Sequence, residues 1–422
     1  MGVYFDQILE TLPPEQREEY FQRKIRETVV YAYRNSPFVR KHLDQAGIDP
    51  NNIKGPKDLP SIPVIKKEQV REAHRLCPPF GEILAVPPQE LGRIYMSPGP
   101  IYDPEHREEK RLKEAKALFG AGLRPGDRVM VTFSFHLVPA GLLFDMALRE
   151  MGATVIPSGV GNTELQATLL KDLQVTGYIG TASFLLNLLD RCKELGYLFG
   201  KDVALKWAVL TGEKVPDSMR QIFEKDYGIQ TGQVYGTGDL GLFAYECGEH
   251  KGMHVCEEVF LEIVDPQSGL PVSPGEVGEI VVTYFDKTLP MVRYGTGDLS
   301  FLETGPCPCG RTSPRLGAIV GRVGDSFKVR GMFLHEPQVR QAAEKVEGVH
   351  RAILVIERIN NRDHLTFKVE LEDGPVDRKS ARETLERNFR DLCRLKTDDV
   401  QFFPKGTFGN ENKSLLDERK WD

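Results

Sequence analysis

Between residues 125 and 210 the chain alternates short apolar runs with longer stretches of helical periodicity. Pro125-Gly126-Asp127 reads as a turn, and Arg128–Phe133 follows as a short β-rich run. Gly141–Met151 has helical spacing, Ala153–Ile156 is a second strand, and Thr176–Ile179, helix Phe184–Leu195 and strand Lys206–Leu210 continue the cycle. Strands alternating with helices of roughly ten to fifteen residues predict βαβ units and a largely parallel sheet.

The flanking segments have other textures. The first hundred residues read as helices and loops: Pro13-Pro14 before Glu15 opens a helix, and Ile25, Val29, Val30, Tyr33 and Val39 recur near helical spacing. Beyond Phe260, Leu261–Val264 and Gly278–Thr283 alternate with Asp265-Pro266 and Pro274-Gly275 turns, which predicts a small antiparallel β-rich subdomain over about 246–321. From Asp325 the pattern is helix Glu336–Val346, strands His350–Ile356 and Leu365–Leu371, and helix Arg378–Leu395. A boundary near Gly321–Gly324 therefore separates a large α/β N-terminal domain, 1–321, from a small α+β domain, 322–422.

Composition narrows the function classes. With 55 basic and 61 acidic residues the formal charge is −6, against a nucleic-acid partner. Met1–Tyr20 lacks the basic-then-apolar order of a signal peptide, and the longest apolar stretch, His136–Leu148, is too short to span a bilayer. The expectation is a cytoplasmic protein with no membrane partner; a homodimer is left open. Seven cysteines without such a signal argue against a disulfide framework. Cys307-Pro-Cys309-Gly310 reads instead as a metal knuckle, and Cys247, His250, His254 and Cys256 lie about fifty residues upstream.

One hexapeptide occurs twice, Tyr-Gly-Thr-Gly-Asp-Leu at Tyr235–Leu240 and at Tyr294–Leu299. Each copy is expected to follow a strand and to end in a carboxylate set off by glycines. Such a turn is either ordinary strand-end chemistry or an acid at the mouth of a sheet, where α/β proteins bind ligands.

These repeats stand within a longer run of matches: Arg93–Ser97, Ser158–Gln166, Thr211-Gly212-Glu213, Tyr235–Cys247, Met291–Leu299, Cys307–Thr312, Ile319–Gly331 and Asn410–Arg419. In that order the chain resembles the phenylacetate–coenzyme A ligase branch of the adenylate-forming enzymes, from about Tyr33 to Arg419. The resemblance implies a large AMP-binding domain with parallel-rich sheets, a small β-rich subdomain and a small mobile C-terminal domain. It implies ATP/AMP, Mg2+ and coenzyme A as cofactors and a carboxylic acid, most readily an aromatic one, as substrate.

By the same resemblance Gly212 and Glu213 wall the adenine pocket, Tyr235 stacks beside it next to Gly236, and Asp298 accepts the ribose hydroxyls. Arg322 touches ribose or phosphate, Asp239 stands where a Mg2+-holding glutamate is expected, and Lys413 is the lysine that bridges carboxylate and α-phosphate. The acyl pocket falls to Phe133, Phe135, His136 and Tyr178, although the aromatic ones could equally be core. Relatives with Cys-Pro-Cys-Gly-Arg-Thr imply a structural Zn2+ on Cys247, His254, Cys307 and Cys309, with His250 and Cys256 in reserve.

Two departures stand out. The phosphate loop reads Ser97-Pro98-Gly99-Pro100-Ile101-Tyr102-Asp103-Pro104. Ser97 and Gly99 keep register as nucleotide-binding positions, the prolines have no N–H to offer, and Asp103 replaces a lysine. Gly324 stands where a hinge aspartate is expected. The leading expectation is an acid–CoA ligase. The alternatives are an adenylating enzyme that makes no thioester, and a non-catalytic module binding AMP or acyl-CoA.

Overall fold

The computed structural model describes residues 3–97, 101–213, 215–323, 326–330, 332–344, 346–359, 362–409 and 413–419. Gly99, the neighbouring Pro98 and Pro100, and Gly324 lie outside the described residues. The chain divides into two compact units, Met1–Ile319 and Val320–Asp422.

The first unit opens with α1 (Gln7–Glu10), α2 (Pro14–Asn35), α3 (Pro37–Gln45) and α4 (Lys67–Leu76). The periodic run through Val39 is thus two helices. Ser36 ends α2 and caps α3 by accepting from the Val39 N–H, and Pro37 takes the first-turn position where a missing N–H costs nothing. The first hundred residues are not all helix and loop, because β1 (Leu91–Ser97) pairs antiparallel with β2 (Ile101–His106). Pro104 is tolerated there because the ribbon has only two strands and its backbone can face outward.

Next come α5 (Leu112–Gly120), β3 (Arg128–Val131), α6 (Ala140–Met151), β4 (Thr154–Ile156), α7 (Thr163–Asp172), β5 (Gly177–Gly180), α8 (Ala182–Glu194) and β6 (Trp207–Leu210). Then follow α9 (Asp217–Gln221), β7 (Gln230–Thr237), β8 (Gly241–Glu246), β9 (Met253–Val255), β10 (Val259–Val264), β11 (Gly278–Tyr284), β12 (Tyr294–Ser300) and β13 (Arg315–Leu316).

The main sheet has eight strands in the order β13-β9-β8-β7-β6-β5-β3-β4. It is parallel from β4 to β7 and antiparallel beyond. Strand alternation explains the near-continuous apolar runs. Val129, Val131, Ile179 and Val209 pack with α5 and α6, while Met130, Tyr178, Ala208 and Leu210 pack with α7 and α8. β10, β11 and β12 form a separate antiparallel sheet. The 246–321 stretch is therefore not one subdomain, since β9 and β13 extend the main sheet.

The second unit contains β14 (Gly321–Arg322), hairpin β15 (Ser326–Val329) and β16 (Met332–His335), α10 (Glu336–Glu344), β17 (Val349–Ile359), β18 (Arg362–Leu371), α11 (Arg378–Cys393), β19 (Asp399–Phe403) and β20 (Leu415–Asp417). Its sheet runs β19-β18-β17-β20 and shares an apolar core with the helices through Leu354, Ile356, Phe367, Leu385 and Phe389.

Candidate active site and metal knuckle

The two hexapeptides meet, and each supplies the other's donor. The Tyr235 hydroxyl donates to Asp298 Oδ2 at 2.8 Å, and the Tyr294 hydroxyl donates to Asp239 Oδ2 at 2.7 Å. The first copy ends β7 and turns into β8, as a strand-end turn should. The second does not follow a strand but lies inside β12, where the register with β11 shifts between Gly295 and Leu299 and Gly297 takes φ +76°. Burial, then the Asp239 charge, drives the Tyr294 phenol far above its ordinary pKa, so it stays a donor. Lys67 of α4 lies 3.5 Å from Asp239 Oδ2, and the Asp239 side chain is 4% exposed.

The β1–β2 ribbon lies against this centre. Ser97 Oγ donates to Asp103 Oδ2 across the ribbon, and both residues are buried. A Cβ on Gly238 would fall 2.1 Å from Ser97 Oγ, so the turn preceding Asp239 can approach only as glycine. Burial, followed by the Asp239 charge, pushes the Asp103 carboxyl up to about 7, against the opposing pull of the Ser97 hydroxyl.

The expected adenine and acyl positions are only partly gathered. Glu213 accepts from the Ser183 N–H at 2.6 Å and the Ser183 hydroxyl at 2.9 Å, at the start of α8. Gly212 has φ +83° and a Cβ there would lie 3.8 Å from Phe133. Phe133 stacks on Phe144 with ring centroids 5.4 Å apart, Phe135 is half-buried and His136 is exposed. Tyr178 is not a pocket residue. Alternation in β5 turns it into the α7/α8 core, fully buried, with its hydroxyl accepting from Thr132 and donating to the Thr181 carbonyl, each at 3.1 Å.

The cysteine cluster is compact. One ligand atom from each of Cys247, His254, Cys307 and Cys309 lies within 4.8 Å of the others. Cys247 Sγ and Cys307 Sγ are 3.6 Å apart, and Cys309 Sγ is 3.3 Å from His254 Nε2. Tetrahedral zinc with bonds of ~2.3 Å to sulfur needs sulfurs ~3.8 Å apart, so the donors fit. Burial, then the Arg311 and Arg315 charges, lower His254 to about 3 and keep it neutral, while Nδ1 rests 3.2 Å from Ser313 Oγ. Burial raises the Cys247 thiol to about 12. At Cys309 burial raises the thiol, but the Arg311 N–H and the neighbouring thiols outweigh it and the net shift is downward.

The two reserve ligands are elsewhere. His250 meets Arg220 at 2.8 Å, and Cys256 is in the main core. The N-terminal segment straps the knuckle from outside. The Tyr4 hydroxyl donates to the Cys309 carbonyl at 2.9 Å, Arg311 Nε to Glu10 at 2.6 Å, and Arg17 to Thr312 Oγ1 at 2.8 Å.

In the second unit Arg322 is exposed on β14, and Lys413 is exposed just before β20. Two residues absent from the sequence reading fix the backbone around Lys413. Arg351 of β17 donates to the Gly409 carbonyl at 3.2 Å and the Lys413 carbonyl at 3.3 Å, and Glu336 of α10 accepts from the Ser414 N–H at 2.7 Å. Each lies more than sixty residues away in sequence from the bond it makes next to Lys413, so no local pattern marks it.

No protein-family model matches the chain. The phenylacetate–coenzyme A ligase of Thermus thermophilus is 33% identical over 391 residues, covering 89% of this chain and 86% of that protein. The chain belongs to the phenylacetate–coenzyme A ligase family. The ligase of that name from Escherichia coli is 31% identical over 385 residues, 87% of this chain and 85% of its own. Among solved structures, an open 2-hydroxyisobutyryl-CoA ligase in complex with its acyl-AMP and CoA matches with TM-score 0.90 at 23% identity, over 99% of this chain and 95% of its own. That likeness establishes an adenylate-forming CoA-ligase fold. Among the described residues no helix is long and apolar enough to cross a membrane.

Proposed function

We propose that this protein joins a carboxylic acid to coenzyme A through an acyl-adenylate. Family membership supports the reaction class, and the observation that carries the site is the reciprocal Tyr–Asp exchange. It presets two carboxylates of one unit, Asp239 in the turn after β7 and Asp298 within β12, before any ligand arrives, which lowers the cost of ordering the site. Asp298, oriented by Tyr235, accepts the two ribose hydroxyls, with Gly212, Glu213 and Gly236 around the adenine and Arg322 on ribose or phosphate. Asp239 would hold Mg2+, which screens phosphate charge when bound. Lys413 presents its ammonium to the attacking carboxylate and the α-phosphate, where charge develops.

An aromatic acid is the substrate class, a reading supported by the Phe133 ring beside Gly212 and by the half-buried Phe135 two residues on. Zn2+ on the four-residue knuckle would be structural, since every tetrahedral position is taken by protein. The test is ATP–pyrophosphate exchange dependent on acid across a panel of aromatic carboxylates, followed by CoA-dependent thioester formation. Lys413→Ala is expected to abolish both while AMP still binds. Absence of acid-dependent exchange across the panel refutes the proposal, and AMP or acyl-CoA binding without turnover, indifferent to Lys413→Ala, would mark a binding module instead.

A further inference from the structure

A small cavity of about 40 Å³ lies between the β1–β2 ribbon and the turn that carries Asp239. Its walls include Asp103, Glu105, Glu109, Arg111, Asp239 and Asp286. Most of these acids are already answered. Glu105 receives Arg93 at 2.6 Å and Arg111 at 2.8 Å, Glu109 faces Arg111 at 3.7 Å, and Asp286 accepts the Thr288 and Leu289 N–H groups at 2.8 and 2.6 Å. Asp239 has Tyr294 and Lys67.

Asp103 is different. The residue is 5% exposed, its Oδ2 is taken by Ser97, and its Oδ1 has no hydrogen-bond partner among the described residues. Its carboxylate comes within 3.6 Å of the Cβ position of Gly238, the residue before Asp239. The two aspartates therefore share one nearby ammonium, that of Lys67. A second buried carboxylate with a bare oxygen is costly unless a cation or a proton neutralises it.

We propose that Asp103 Oδ1 and Asp239 together bind a divalent cation of the Mg2+/Mn2+ class in this cavity. The donors are hard carboxylate oxygens, which suit these ions rather than zinc. The cavity exceeds the ~10–15 Å³ that one water or small ion occupies, and Mg2+ commonly takes one or two carboxylates and fills its remaining positions with water or phosphate oxygens. The cation returns positive charge to the loop position where Asp103 replaces a lysine. This deepens the ligase reading, with which it shares Asp239, but binding itself needs no nucleotide.

The experiment is a Mn2+ titration followed by electron paramagnetic resonance on zinc-loaded, nucleotide-free protein, with Mg2+ as competitor. Wild type is expected to show one site that Mg2+ displaces. Asp103→Asn and Asp239→Asn should each weaken it at least tenfold. Ser97→Ala, which disturbs the same ribbon but leaves both carboxylates, should hold affinity within threefold. Wild-type affinity in Asp103→Asn overturns the proposal, because the buried charge is then met by a proton. Equal loss in Asp103→Asn and Ser97→Ala also overturns it, because ribbon disturbance then accounts for both. A protein that shows no pyrophosphate exchange yet binds Mn2+ through Asp103 overturns the ligase reading and leaves this one standing.

Discussion

Removing the knuckle's metal, or one of its thiolates by Cys307→Ser, opens a cross-link between positions 60 residues apart in the chain. Treated as a covalent staple, a loop of that length removes unfolded-state entropy worth ~4 kcal/mol at room temperature. A large domain shifts its melting temperature by roughly 2 °C per kcal/mol, so the first unit should melt about 8 °C lower. Further loss is expected from the strap, since Tyr4 rests on the Cys309 carbonyl and Arg311 ties the same segment to Glu10. The measurement pairs elemental analysis with differential scanning calorimetry on protein purified without chelator, before and after stripping. One zinc per chain and a recoverable loss of this size are expected, and Cys307→Ser should bind less than half as much. If stripped and loaded protein melt within about 2 °C of each other, or if Cys307→Ser keeps a full equivalent of metal, the closed four-ligand site is wrong.

Three further outcomes follow from named contacts. Tyr235→Phe removes a donor to a carboxylate, an interaction worth ~1.5–3 kcal/mol; AMP affinity measured by calorimetry should fall roughly tenfold, and a change below twofold would separate the pair from ribose binding. Arg351→Ala frees the backbone around Lys413, so the maximal exchange rate should drop about tenfold with little change in the KM for ATP, whereas unchanged kinetics would deny it a positioning role. Burial, only partly offset by Arg111, raises Glu109 to about 7. The native state therefore binds more protons than the unfolded chain between about pH 4.5 and 7, and this group's contribution to stability falls as pH rises through that window. Glu109→Gln should gain stability over wild type from pH 5 to 8 in denaturant titrations, and a pH-independent difference would count against the shift.

Much of the large unit could be read from the chain, because fully buried parallel strands announce themselves as short apolar runs between helices. The ends moved by only a residue or two at β3, β5 and β6. What was hidden depended on distance. Ser97–Pro104 read as an altered loop, whereas Ser97 and Ile101–Pro104 belong to a two-stranded ribbon, which tolerates Pro104 because half its backbone needs no partner. Ser36-Pro37 carries a legible cap signal between Tyr33 and Val39, where α2 gives way to α3. For Tyr178 pocket and core stay equally open in the sequence, because composition cannot say which face of β5 it takes. The repeat was visible, but its crossed hydrogen bonds span 63 and 55 residues and follow only from how β7 and β12 meet.

That crossing has an evolutionary consequence. Because the tyrosine of each copy serves the aspartate of the other, neither hexapeptide can drift by itself. Among relatives, positions 235 and 298 should change as one pair and 239 and 294 as another. Neighbours within the same copy, such as 235 and 239, are free to vary separately. Inheritance would then act on the two crossed pairs rather than on the two words the sequence spells.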